Sequence, residues 1–254
     1  MSKFVDKLQR LSKTSTSPIG FGSSVSESKG PRMLLIAALS RLDDKEADVI
    51  TNGSVDAGLI LNHDFSVKVV RQMVEAAAEV PVGVLMKDAA EEKVNELAGS
   101  GCDFVVFSTK MPATTLYEEG IGKFLVVEPR LDSGLVKAIN NLDVDGVFLS
   151  HGEESFLTVE YLLVCQRFSE LLDKPFMVIL PSLVNSSVLS DLWEVGVSGI
   201  TISAEQPSEA FVELRKLIED LPKEARRKRA KSGVILPHYG GGIPVEEEEE
   251  EEET

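Results

Sequence analysis

Cysteine is close to absent, with two residues in 254. Cys102 and Cys165 have neither the density of a disulfide scaffold nor the spacing of a thiolate zinc site, so both read as small buried hydrophobes. No apolar run reaches the roughly 18 residues of a membrane span. The opening Met1-Ser2-Lys3-Phe4-Val5-Asp6-Lys7 runs on into a polar stretch and lacks the pattern of a secretory signal, so a cytoplasmic location is expected. Positive charge is also short, 26 Lys and Arg against 42 Asp and Glu, for a net charge of -16. The uninterrupted run Glu246 to Glu253 accounts for half of that excess. A body that is still acidic offers no basic face to a phosphate backbone, which excludes general nucleic-acid binding.

What the chain does have is one pattern four times over: a helix tail, a turn, then an apolar run that ends in a polar residue. The copies are Ser54-Val55-Asp56-Ala57-Gly58-Leu59-Ile60-Leu61-Asn62, Gly101-Cys102-Asp103-Phe104-Val105-Val106-Phe107-Ser108, Asp143-Val144-Asp145-Gly146-Val147-Phe148-Leu149-Ser150 and Gly196-Val197-Ser198-Gly199-Ile200-Thr201-Ile202-Ser203. Continuous apolar runs of this length are strands buried on both faces, the mark of a parallel sheet. Eight such strands are expected, over Met33 to Ser40, Ala57 to Asn62, Val82 to Lys87, Phe104 to Thr109, Phe124 to Glu128, Gly146 to His151, Phe176 to Pro181 and Ile200 to Ser203.

Apolar residues three and four apart predict helices over Phe65 to Glu79, Ala89 to Gly99, Ser133 to Asn141, Leu157 to Leu172, Ser186 to Val195 and Ser208 to Leu221. Arg41 to Gly53 has room for a short helix only, and Met111 to Gly122 reads as a loop with one helical turn. Eight strands alternating with helices through right-handed crossovers make a single α/β domain, the (β/α)8 barrel, for which about 250 residues is the usual length.

The barrel is expected over residues 32–222. Residues 1–31 form an N-terminal arm, in which Phe4, Leu8 and Leu11 mark an amphipathic helix that packs on the barrel or on a neighbouring subunit. Residues 223–254 hold a basic segment, a His238-Tyr239-Gly240-Gly241-Gly242 stretch and the glutamate run, whose like charges keep it solvated.

Ligands of this architecture bind at the carboxyl ends of the strands. Those ends carry Ser40 and Arg41, Asn62 and His63, Lys87, Ser108 and Lys110, Glu128 and Arg130, Ser150 and His151, Ser182, then Ser203 and Glu205. Four cations against two carboxylates, in an acidic chain, point to a small anionic ligand held by Arg41, Asn62, His63, Ser108, Lys110, Arg130, Ser150, Ser182 and Ser203. Asp43, Asp44, Asp64 and Asp88 lie close by and oppose that field.

Three of these residues have chemistry of their own. Lys87 closes the apolar run Pro81 to Met86, where desolvation would lower its pKa and leave an amine able to form a Schiff base. Glu128 and His151 end successive strands, so a carboxylate beside an imidazole is expected as an acid–base pair. A metal site is not expected, because only His63 could add a third nitrogen and it lies far round the ring. At the helix starts after the last two strands, Ser186 and Ser208 are expected as N-caps.

Three pieces, Val80-Pro81-Val82-Gly83-Val84, Gly101 to Ser108, and Val144 to Gly152, resemble the barrel core of flavin-dependent nitronate monooxygenases and inosine-monophosphate-dehydrogenase-like proteins. The resemblance implies the barrel and raises FMN as a cofactor. In the monooxygenases the turn after strand six leads to a glycine-rich stretch and a catalytic histidine, where this chain has Gly152-Glu153-Glu154-Ser155-Phe156. The glycine motifs that hold the flavin phosphate after strands seven and eight are absent as well. The leading expectation is an enzyme acting on a small anionic metabolite, through lyase-type or aldolase-like lysine chemistry or through acid–base chemistry. A non-catalytic binding or scaffold barrel and a flavin-dependent oxidoreductase are the alternatives, and a homo-oligomer is among the expected partners.

Overall fold

A computed structural model describes residues 2–14, 31–61, 66–86, 91–152 and 155–222. Its eight strands are β1 (Leu34–Leu39), β2 (Ala57–Ile60), β3 (Val82–Met86), β4 (Phe104–Ser108), β5 (Gly122–Val127), β6 (Gly146–Leu149), β7 (Phe176–Ile179) and β8 (Gly199–Ser203). They pair in parallel and in chain order, and β8 pairs back to β1, which closes the barrel. The helices are α1 (Lys3–Thr14), α2 (Asp44–Asn52), α3 (Val67–Ala77), α4 (Glu91–Gly99), α5 (Ser133–Ala138), α6 (Val159–Leu171), α7 (Ser186–Glu194) and α8 (Ser208–Glu219). The β4 to β5 crossover has only the 3-10 turn Ala113–Tyr117, and a second one, Ile139–Asn141, extends the short α5.

The fourfold repeat explains the bottom of the barrel. Its third residue, Asp56, Asp103, Asp145 or Ser198, stands just before an even-numbered strand and ties it to the strand before. The Asp56 N–H donates to the Leu35 carbonyl (2.7 Å) while its carboxylate accepts the Leu35 N–H (2.9 Å). Asp145 closes the same reciprocal pair with Lys123, at 2.7 and 2.8 Å. Three copies open on a left-handed residue, Ser54, Gly101 and Gly196, at φ of 56°, 91° and 99°. That conformation turns the chain from helix end to strand and favours glycine.

In the copy at β4 the carboxylate is turned to another use. Asp103 accepts the Ser2 hydroxyl (2.7 Å) and the backbone N–H groups of Lys3 (2.8 Å) and Phe4 (2.9 Å), so it caps α1 from across the fold. The N-terminal helix therefore packs on the barrel, with Phe4 fully buried and Leu8 nearly so among the lumen residues Phe104, Phe124 and Phe148. The Phe4 ring lies 4.5 Å from Phe104, 5.3 Å from Phe124 and 6.4 Å from Phe148. Glycine makes that floor possible. A Cβ on Gly83 would lie 2.2 Å from the Phe104 ring, and one on Gly146 would lie 3.1 Å from Phe124.

Side chains alternate along each strand between the lumen and the helix layer. Leu34, Ile36, Ala57, Leu59, Phe104, Val106, Phe124, Phe148 and Met177 pack in the lumen, and their sequence neighbours Leu35, Ala37, Val105, Leu125, Val147 and Val178 pack against the helices. Parallel register then stacks the lumen in layers of four drawn from alternate strands. Upward from Phe104 and Phe124 come Leu59, Val106, Phe148 and Thr201, then Ala38, Leu85, Val126 and Ile179.

Candidate functional site

The layer of Leu85, Val126 and Ile179 is only half-buried, although it lies inside the barrel. The lumen is therefore open at its carboxyl end, above an apolar base. The next lumen positions, two residues further along the even-numbered strands, are Leu61, Ser108, Ser150 and Ser203, all half-buried. Three of the four repeat copies thus deliver a hydroxyl to one layer. The β2 copy is one residue longer before its polar end, which gives Leu61 that position.

Two of the hydroxyls are already oriented. Ser108 Oγ accepts the Lys110 N–H, and Ser203 Oγ accepts the Glu205 N–H, both at 3.3 Å. Each serine thereby anchors the turn that leaves its strand, and its hydroxyl proton remains a donor. Below Ser203, the fully buried Thr201 Oγ1 has no hydrogen-bond partner among the described residues.

The loop after β1 is fixed from beneath. Asp43 caps α2 by accepting the Glu46 N–H (3.0 Å), and Glu46, 2% exposed, accepts in return from the backbone of Ser40 (2.9 Å), Arg41 (3.1 Å) and Leu42 (2.7 Å). This is a capping box whose glutamate reaches past the cap into the loop, and it holds Leu42 in the left-handed region at φ 57°. Asp43 and Glu46 three apart were the sequence signal for this clamp. Arg41, so presented, meets Glu205 of the β8 loop at 2.9 Å. Its charge is committed to that carboxylate, which lowers the positive balance expected from the sequence. Lys110 and Arg130 are exposed, and neither makes an ion pair among the described residues.

The expected carboxylate–imidazole pair does not form. Leu149 pairs with Val127, so the register sets Ser150 beside Glu128 and His151 beside Pro129. Glu128 is an exposed lumen-side position, whereas His151 falls on the helix side, and no hydrogen bond joins them. His151 Nδ1 is buried without a partner among the described residues; Arg167 donates from Nη2 to the Pro129 carbonyl, and its buried Nε has no partner among them either. Tyr161 Oη donates to the Leu149 carbonyl at 3.2 Å, and burial raises the pKa of its phenol.

Ser182 is exposed in the β7 loop. Asn185, not Ser186, caps α7 by accepting the Val188 N–H at 3.0 Å, and Pro207, not Ser208, occupies the cap position of α8. An asparagine cap is as effective as serine, and proline fits the backbone entering α8, so each helix begins one residue earlier in the capping frame. Asn62, His63 and Lys87 lie outside the described residues. The flavin phosphate finds no fitting cradle here: the β7 loop has no glycine, and the β8 loop presents the Glu205 carboxylate. Among the described residues no cluster of three or more His, Cys, Asp or Glu is placed to hold a metal ion, and no helix is long and apolar enough to cross a membrane.

No family model matches this chain, and no curated protein sequence does. Its fold is that of solved structures of the tryptophan synthase alpha-subunit from the hyperthermophile Pyrococcus furiosus. One single-site mutant is 14% identical over 74% of this chain and 97% of its own length, with a TM-score of 0.58. A second mutant is 15% identical over 74% and 97%, also at 0.58, and a structure determined alongside calorimetry is 14% identical over 75% and 98%, at 0.56. At this identity the likeness establishes the (β/α)8 barrel.

Proposed function

We propose that the open carboxyl end of the lumen binds a small anionic metabolite and that the protein is an enzyme acting on it. The observation that supports this reading is the layer of Ser108, Ser150 and Ser203 above an apolar base. Ser108 and Ser203 accept from their own turns, so a ligand atom meeting their protons has to be an acceptor. A carboxylate or phosphate oxygen is the strongest such acceptor, and hydrogen bonds to it gain strength over a base of low dielectric. The unpaired Lys110 and Arg130 at the rim add attraction on approach. The apolar part of the metabolite would rest on Leu85, Val126 and Ile179.

Within this reading Glu128, on the lumen side of β5, is the acid–base group, Lys87 the amine nucleophile or anchor, and His151 a positioning group behind the sheet. A panel of small carboxylates and phosphate esters, screened by thermal shift and titrated by calorimetry, tests it. The expected result is a ligand whose affinity falls at least tenfold in Ser150→Ala with Ser203→Ala and whose turnover stops in Glu128→Gln and Lys87→Ala. A ligand bound equally well by the serine double variant overturns the site. Binding without turnover assigns the protein to the non-catalytic alternative.

A further inference from the structure

Seven large apolar side chains are exposed among the described residues, and six of them, Tyr117, Leu135, Leu142, Phe156, Val159 and Leu163, belong to the crossovers between β4 and β7. This is the sector where the helix layer is thinnest, a 3-10 turn and then the six-residue α5. The helix that closes it, α6, has Val159 and Leu163 one turn apart on its outermost face, 75% and 66% exposed, while Tyr161, Cys165 and Phe168 are buried against the sheet. The outward face of α6 is apolar over its first turn, at Val159 and Leu163, and polar beyond it, where Gln166 donates to Glu170; an exposed apolar patch with a polar rim marks a contact surface. Phe156 (61% exposed) lies just before α6, and Leu135 (57%) lies on α5, which packs beside α6.

We infer that this face, Leu135, Phe156, Val159 and Leu163, is a two-fold contact between copies of this chain. At these exposed fractions the four residues present on the order of 400 Å² of apolar surface. That is the apolar core of an interface of about 800 Å² per partner, the usual size of a stable one. Val159 and Leu163 form a short ridge on one helix, which an antiparallel copy of the same ridge meets as its own complement. The rim carries both signs, Lys137 on α5 and Glu160 on α6, so a copy brings unlike charges together as well as like ones. The C-terminal segment is the other occupant this chain offers. It has three consecutive aliphatic residues, Val234 to Leu236, set between a basic cluster and eight glutamates, and it follows α8, two helices round the ring from α6.

Analytical ultracentrifugation of the full chain at micromolar concentration tests this. The expected mass is twice 27.6 kDa, falling to 27.6 kDa in Val159→Glu with Leu163→Glu while the far-ultraviolet dichroism is unchanged. The exposed Leu142→Glu, outside the four, is expected to keep the doubled mass. A full-length chain at 27.6 kDa overturns the inference, and if truncation after Pro222 then doubles that mass, the C-terminal segment is the occupant. A doubled mass that survives the double substitution overturns it too.

Discussion

Replacing Phe4 by alanine removes the plug at the bottom of the lumen. Burying an aromatic side chain withdraws about 150–250 Å² from water, and Phe→Ala in a core costs about 3–5 kcal/mol. Here the upper part of that range applies, because Phe4 is fully buried and stacks 4.5 Å from Phe104. The surrounding wall is a closed ring of backbone with glycine at positions 83 and 146, which cannot collapse inward to fill the space. A loss of about 4 kcal/mol, at a guanidinium dependence of about 4–6 kcal/mol per molar, lowers the unfolding midpoint by roughly 0.7–1 M. The single tryptophan, Trp193, is buried on α7 and reports the transition by fluorescence. Tyr117→Ala, at an exposed side chain, is expected to change stability by less than about 0.5 kcal/mol. A shift below about 0.2 M for Phe4→Ala, on the order of 1 kcal/mol or less, would refute the placement of α1 as a structural part of the barrel.

Asp56→Ala strands the Arg215 guanidinium, whose Nη2 sits 2.6 Å from the carboxylate with both side chains largely buried, and also frees the Leu35 N–H; the expected loss in the same unfolding assay is about 3–5 kcal/mol. Burial pushes both Cys102 and Cys165 up to about 12, so a thiol reagent at pH 8 should label neither until denaturant is added, and one thiol per chain reacting at once would contradict their burial. Asp143 is held below the usual carboxyl range by its hydrogen bond to Lys123 Nζ at 2.6 Å, with the ammonium charge adding to it. A depressed folded value means the pair stabilises the protein fully above the ordinary carboxyl pKa of about 4 and loses this as pH falls through the lower value. Asp143 is exposed, so Asp143→Asn should cost under about 1 kcal/mol at pH 7 and the difference should vanish near pH 2, as read by unfolding at each pH.

The barrel was legible because its strands carry a signal that survives without tertiary context: apolar on both faces, short, and repeated. The repeat marked each even-numbered strand, and helical spacing supplied most of the covering helices. Less legible were features that depend on where a side chain points once the ring has closed. Gly122 reads as the end of a loop and Gly199 as the residue before a strand, yet both belong to strands, where the lumen has no room for a side chain beside Phe104 and Met177. Asp103 read like its counterparts Asp56 and Asp145, and only the packed N-terminus shows it capping α1. At the site, the serines follow from strand parity, which the sequence carries. The separation of Glu128 from His151 follows from the same parity, since residues ending adjacent strands one step out of register face opposite sides of the sheet. The commitment of Arg41 to Glu205 depended on the Glu46 clamp and needed the folded loop.

The most direct measurement is hydrogen–deuterium exchange of the full chain with and without the best-binding carboxylate or phosphate ester from the panel. Slowed exchange confined to peptides that contain Ser108, Ser150 and Ser203, with α1 and the Asp56–Asp103–Asp145 end unchanged, is the expected footprint. Protection at the α1 end, or none at the three serines under saturating ligand, would contradict a binding site at the open mouth of the barrel.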